Sequence, residues 1–218
     1  MRKCLKAMLL FITVIAMLTG CAKPEEISAT ESAKALIDLK FFSDKTGAIN
    51  LGMTEEECTK MLEEFKETQI KDLKEVFDEA DLQVSDEKIE ELFNSVMGAF
   101  GKLNYTIEEL ESPNGETKHV IIRTTYIDFE KLVSSTVTNI LLDEETLKSM
   151  SDESQLGEII ANSLIDALNN ATPSEETATI KAEFALQEMT VNGKSANVWF
   201  PSNVAKFGND LTVSMLGE

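Results

Sequence analysis

Residues 177–200 read TATIKAEFALQEMTVNGKSANVWF, and the fold class turns on how they are read. Two runs rich in β-branched and aromatic residues, 177–191 and 194–200, flank Asn192-Gly193. An Asn-Gly pair supplies the positive φ angles of a type I′ turn, whose twist matches the strands it joins, so the stretch predicts a β-hairpin. Upstream, LNYTIEELE (103–111) and TKHVIIRTTYIDF (117–129) flank SPNGE and predict a second hairpin.

Between and before the hairpins the apolar period changes from two to about 3.6. Ser28 and Glu31 have capping-box spacing ahead of Ala33, Leu36, Ile37 and Phe41. Thr54 and Glu57 repeat that spacing ahead of Cys58, Met61, Leu62, Phe65, Leu73, Val76, Phe77 and Ala80. On the polar side, Glu56 with Lys60 and Glu67 with Lys71 are spaced for i,i+4 pairing. Ser85 or Asp86 is expected to cap a helix with Ile89, Leu92, Phe93, Val96, Met97 and Phe100 inward, ended by Gly101. Further helices are expected at about 129–142 and 152–169, and a short one after Pro201. Helices, hairpin, helices, hairpin is the order of an α+β domain, with helices packed on a curved antiparallel sheet of about four strands.

The N-terminus is organised differently. Residues 7–18, AMLLFITVIAML, form an apolar run of 12 residues preceded by Arg2, Lys3 and Lys6. A helix of that length covers roughly 18 Å, short of a hydrocarbon core of about 30 Å. Basic residues, a short apolar core and a small-residue end are the layout of a secretory signal. Its end, Leu18-Thr19-Gly20-Cys21, resembles the lipobox of bacterial lipoproteins. The resemblance implies that Cys21 receives a diacylglycerol through its thiol, that the bond before it is cut, and that acyl chains such as palmitate hold the protein on a membrane. Residues 1–20 are then signal peptide, 21–29 a lipid-anchored tether, and 30–218 a single α+β domain. The implied place is the extracytoplasmic face of a cell membrane.

Removing the signal leaves 17 basic against 39 acidic residues, a net charge of -22. That balance disfavours nucleic acid and anionic lipid headgroups, whose binding relies on Lys and Arg displacing counterions, and better suits a basic protein, a cationic peptide or loosely held cations. Acidity of this degree also serves solubility alone. Beyond Cys21 the one remaining cysteine is Cys58, so no intramolecular disulfide is expected with Cys21 lipidated.

The element order, with a Trp near the end of a late strand, also resembles the cystatin-like or NTF2-like cone of small Gram-positive lipoproteins. That resemblance implies a fold and carries no functional residues. On such a cone Tyr105, Tyr126, Phe184 and Trp199 would form a ligand face for a small apolar ligand or peptide. Filling of the space between sheet and helix is the plainer role for the same rings.

Catalytic chemistry is thinly represented. His119 is the sole histidine, on an expected strand beside Lys118, and reads as a surface residue. Cys58 falls on an apolar helix face, where a buried thiol is inert. The acidic stretch DEADLQVSDEKIEE (78–91) lacks the central Gly and alternating ligands of an EF-hand. Glu108-Glu109 and Asp143-Glu144-Glu145 are carboxylate groupings of the kind that usually face water. No metal or cofactor is therefore expected. The expected function is a non-catalytic, membrane-tethered binding module meeting a protein, peptide or small apolar ligand. An extracytoplasmic enzyme using scattered carboxylates is the alternative.

Overall fold

A computed structural model describes residues 25–110, 117–143, 155–191 and 193–217. The LTGC sequence with Cys21, the SPNGE turn, Asn192 and the Glu144-Glu145 pair lie outside the described residues.

Local chemistry sets the helix starts. Ser28 and Glu31 form the expected capping box, with the Glu31 N–H donating to Ser28 Oγ and the Ser28 N–H to Glu31 Oε2 (3.2 and 3.0 Å), and α1 follows over Ala29–Phe42. A short helix, α2, covers Thr46–Asn50. Thr54 and Glu57 form the second capping box (2.8 and 3.2 Å) ahead of α3, Glu55–Glu79. On α3, Lys71 reaches Glu75 at 3.8 Å. The next helices are α4 (Asp86–Phe100), α5 (Phe129–Leu142), α6 (Gln155–Asn170) and α7 (Val204–Met215). At the start of α5 the Asp128 side chain accepts from the Lys131 N–H.

The strands are β1 (Glu25–Ile27), β2 (Tyr105–Leu110), β3 (Thr117–Thr125), β4 (Thr177–Val191) and β5 (Lys194–Pro201). They form one curved sheet in the order β1-β5-β4-β3-β2. β2 pairs with β3 antiparallel, Tyr105 opposite Thr124 and Leu110 opposite His119. β4 pairs with β5 antiparallel, and Val191 opposite Lys194 leaves the two-residue turn the sequence predicts. Gly193 has φ +76°, as that turn type demands. The fifth strand, β1, comes from the stretch read as tether and pairs parallel to β5, Glu25 beside Ala196 and Ile27 beside Val198. The fold is thus α+β, helices on a curved sheet, with a mixed rather than wholly antiparallel pairing.

The chain divides into two compact units. The first holds Met1–Leu62 (described from residue 25), Tyr105–Thr124 and Thr179–Val213. In it α1 packs on β5 and β2, and α1 is buried well beyond a single stripe: Ala29, Ser32, Ala33, Ala35, Ile37, Leu39 and Phe41. Ala35, Leu51, Ala196 and Val198 form one core cluster, with Ile27, Met189, Val191 and Phe200 against it. The second unit holds Glu63–Asn104, Thr125–Ala178 and Ser214–Glu218. There α6 packs on α4 and α5. Phe65 meets Phe93 edge to face at 6.3 Å. Lys102 Nζ donates to the carbonyls of Asn169 (2.7 Å) and Ala171 (3.1 Å), occupying acceptors that the end of α6 leaves open. No helix among the described residues is long and apolar enough to cross a membrane.

Candidate functional site

Charge and aromatic surface meet in the first unit around Trp199. Trp199 sits on β5 and is only 5% exposed, so its indole N–H must find an acceptor within the protein. Glu26 of β1 supplies it, with Nε1 to Oε1 at 2.7 Å. Lys118, at the start of β3, holds its ammonium 4.8 Å from the centre of the indole ring. The same ammonium pairs with Glu109 of β2 at 2.7 Å and lies 3.9 Å from Glu26. Four strands therefore contribute to one cluster of two carboxylates, one ammonium and one covered ring. The carboxylate of Glu26 is 58% exposed and keeps acceptor capacity on its open side. Such a group receives a cationic or hydrogen-bond-donating partner; the indole beneath offers little free face.

A second cluster surrounds Tyr105. Its hydroxyl donates to Asp38 of α1, and Lys34 pairs with the same carboxylate while lying 3.4 Å from the phenol oxygen. The ring tilts against Phe42 at 5.7 Å. Burial, and then the bond to the Asp38 carboxylate, push the Tyr105 hydroxyl up to about 12, so it stays a neutral donor.

The other two rings of the expected ligand face have partners of their own. Phe184 is fully buried, edge to face with Phe207 of α7 at 5.7 Å. Tyr126 lies just past β3, in the second unit. Its carbonyl accepts from the Ser174 N–H (2.8 Å) and its hydroxyl is 3.4 Å from Glu176. Tyr105 thus meets Phe42 and Lys34, Phe184 meets Phe207, and Trp199 meets Lys118.

The residues weighed for catalysis are placed as follows. Cys58 is fully buried among Leu39, Ala48, Met53, Met61 and Leu62, and burial pushes its thiol up, away from the reactive thiolate. His119 is partly exposed, with Nε2 3.8 Å from Glu183. Glu108 pairs with Arg123 at 2.9 Å across the β2–β3 ladder, while Glu109 belongs to the Trp199 cluster. Among the described residues, no group of three or more His, Cys, Asp or Glu side chains is placed to hold a metal ion.

Sequence reasoning found Trp199 and missed the residues that cover it. Lys118 and Glu109 were in hand as hairpin residues, but their meeting depends on the strand register. Glu26 gave no signal at all, because EEI has no strand pattern of its own.

No protein-family model and no curated protein matches the chain. Among solved structures it is similar to a candidate lipoprotein, ycdA, from Bacillus subtilis, with a TM-score of 0.59 at 13% identity. The match covers 85% of this chain and 56% of that one, so this chain spans little more than half the length of its structural neighbour. At that identity the likeness concerns the fold.

Proposed function

We propose that this protein is an extracytoplasmic lipoprotein, anchored to a cell membrane through lipid on Cys21, whose folded part is a non-catalytic interaction module. The observation that carries the reading is Leu18-Thr19-Gly20-Cys21 at the end of a 12-residue apolar run with three basic residues ahead of it. The fold shared with a candidate lipoprotein of Bacillus subtilis supports the same class. A curved sheet with α1 packed on it suits a cystatin-like or NTF2-like relationship. Two or more acyl chains at Cys21 hold the protein firmly, since each buried methylene contributes about 0.8 kcal/mol.

The module meets its partner through acidic surface. Trp199 and Phe184 are spent on packing, which favours contact with a protein or peptide over an apolar ligand held within the sheet. Glu26 and Glu109 outnumber Lys118 in the Trp199 cluster, so the partner presents positive charge there. Crosslinking on intact cells from a photoreactive residue placed at Glu188 of β4, which is exposed, tests this. Recurrent capture of one basic protein is expected, and its loss on adding a soluble polycation. Capture of abundant neighbours alone, indifferent to the polycation, would count against the module.

A further inference from the structure

The place where β1 begins has a consequence for the anchored protein. Pairing with β5 starts at Glu25, so only Ala22, Lys23 and Pro24 separate the first paired residue from Cys21. Four steps of fully extended chain reach roughly 14 Å. Because β1 and β5 run parallel, with Glu25 beside Ala196, the chain comes in at the end of the sheet that carries the β4–β5 turn. Lys194 is two residues from Ala196, about 7 Å along the strand.

Two segments at that end carry little charge. Residues 189–195, MTVNGKS, carry Lys194 and no carboxylate, and residues 46–54, TGAINLGMT, carry no charge at all, in a chain with 39 acidic residues. The two segments touch. Gly52 has φ +99°, and a Cβ there would stand 2.8 Å from the Thr190 carbonyl oxygen, so only glycine permits the approach. Leu51 joins Met189 and Val191 in the same core cluster. Beside it, Ile49 of α2 is one of the few large apolar side chains left exposed.

Resting on the lipoprotein reading, we infer that the end of the sheet formed by the β4–β5 turn and by α2 with the residues after it lies against the lipid headgroups. The three-residue spacer brings this end within reach of the bilayer. Glu25 and Glu188 stand near this end, Glu188 accepting from Ser195 Oγ. The turn and α2 segments themselves present Lys194 and Ile49 with no carboxylate, whereas carboxylates over the rest of the surface are repelled by anionic headgroups. The opposite end of β5, at Pro201 and Ser202, is then turned outward, about 26 Å away along the strand.

The test uses the full chain, lipidated in cells and reconstituted into vesicles of phosphatidylethanolamine and phosphatidylglycerol that carry a headgroup nitroxide. A fluorophore is attached in turn to Lys194→Cys, Asn50→Cys and Ser202→Cys; buried Cys58 does not compete for the label. Incorporation of labelled fatty acid is measured on the same samples. The inference expects quenching at positions 194 and 50 to exceed that at 202 several-fold. Equal quenching at the three positions, or more at 202, in protein that carries the lipid overturns the orientation and leaves the anchor intact. Absence of the lipid overturns the anchor and the orientation together.

Discussion

Glu26 and Trp199 are 173 positions apart in sequence and joined by one hydrogen bond, indole Nε1 to carboxylate Oε1 at 2.7 Å. The bond ties a three-residue edge strand to the sheet and satisfies a donor that burial would otherwise leave unpaired. Trp199 is the sole tryptophan, so indole emission reports on this one site. Glu26→Ala is expected to cost about 1–2 kcal/mol in urea unfolding and to alter the emission of the folded protein. Glu26→Gln, which keeps an acceptor, is expected to lose less. Identical emission and stability in wild type and Glu26→Ala would contradict the assignment.

Tyr105 stays protonated to about pH 12 because it is half-buried and bonded to Asp38. A phenolate beside that carboxylate would bring two negative charges together, so removing the carboxylate lowers the cost of ionisation. Absorbance titration between pH 10 and 11 should find Tyr105 silent in wild type and partly ionised in Asp38→Asn. Burial keeps the variant above a free phenol. Superimposable titrations of the two proteins would show that Asp38 does not govern Tyr105.

Gly157 lies near the start of α6, where a Cβ would stand 2.2 Å from the carbonyl oxygen of Gln83. Helix propensity alone favours Gly157→Ala by about 1 kcal/mol. The clash is with backbone, which cannot swing aside, and overpacking of that kind costs typically 1–3 kcal/mol. The steric effect wins, and the midpoint of thermal unfolding should fall. A rise would mean that Gln83 is not held against α6.

Glu31, Glu57 and Glu158 each sit below the ordinary carboxylate range because backbone and side-chain groups of Ser28, Thr54 and Ser85 bond the charged form. Their folded values are lower than their unfolded ones, so the unfolded chain binds more protons as pH falls. The stability they contribute is present above about pH 4.5 and is lost as pH falls through their folded values. A chain this acidic also gains from relief of self-repulsion on mild acidification, so wild type alone mixes two opposed effects. The difference between wild type and the Glu31→Gln, Glu57→Gln, Glu158→Gln variant isolates the caps. It should shrink between pH 5 and pH 3, and a constant difference would refute the caps as its source.

Elements with a local cause were legible in the residues. Both capping boxes and the Asn192-Gly193 hairpin were, and β4 occupies the expected 177–191. Features with a distant cause were not. Ser85 stands at the start of α4, yet its side chain makes no cap bond; its N–H instead donates to Glu158 of α6 at 2.7 Å. Tyr126 follows an unbroken β-rich run, but β3 stops at Thr125, and the Tyr126 carbonyl accepts instead from the Ser174 N–H. β1 exists only because β5 offers it an edge. Around Trp199 the ring itself was readable, while Glu26 and Lys118 needed the strand order.

Cys21 carries the account of where the protein works, and its lipidation is directly measurable. Cells producing the full chain are fed labelled fatty acid, and the wild type is compared with Cys21→Ser. The account predicts label on the wild-type protein, none on Cys21→Ser, and release of the variant from the membrane fraction or its retention as an uncut precursor. Equal labelling of both, or an unlabelled wild-type protein, would contradict it.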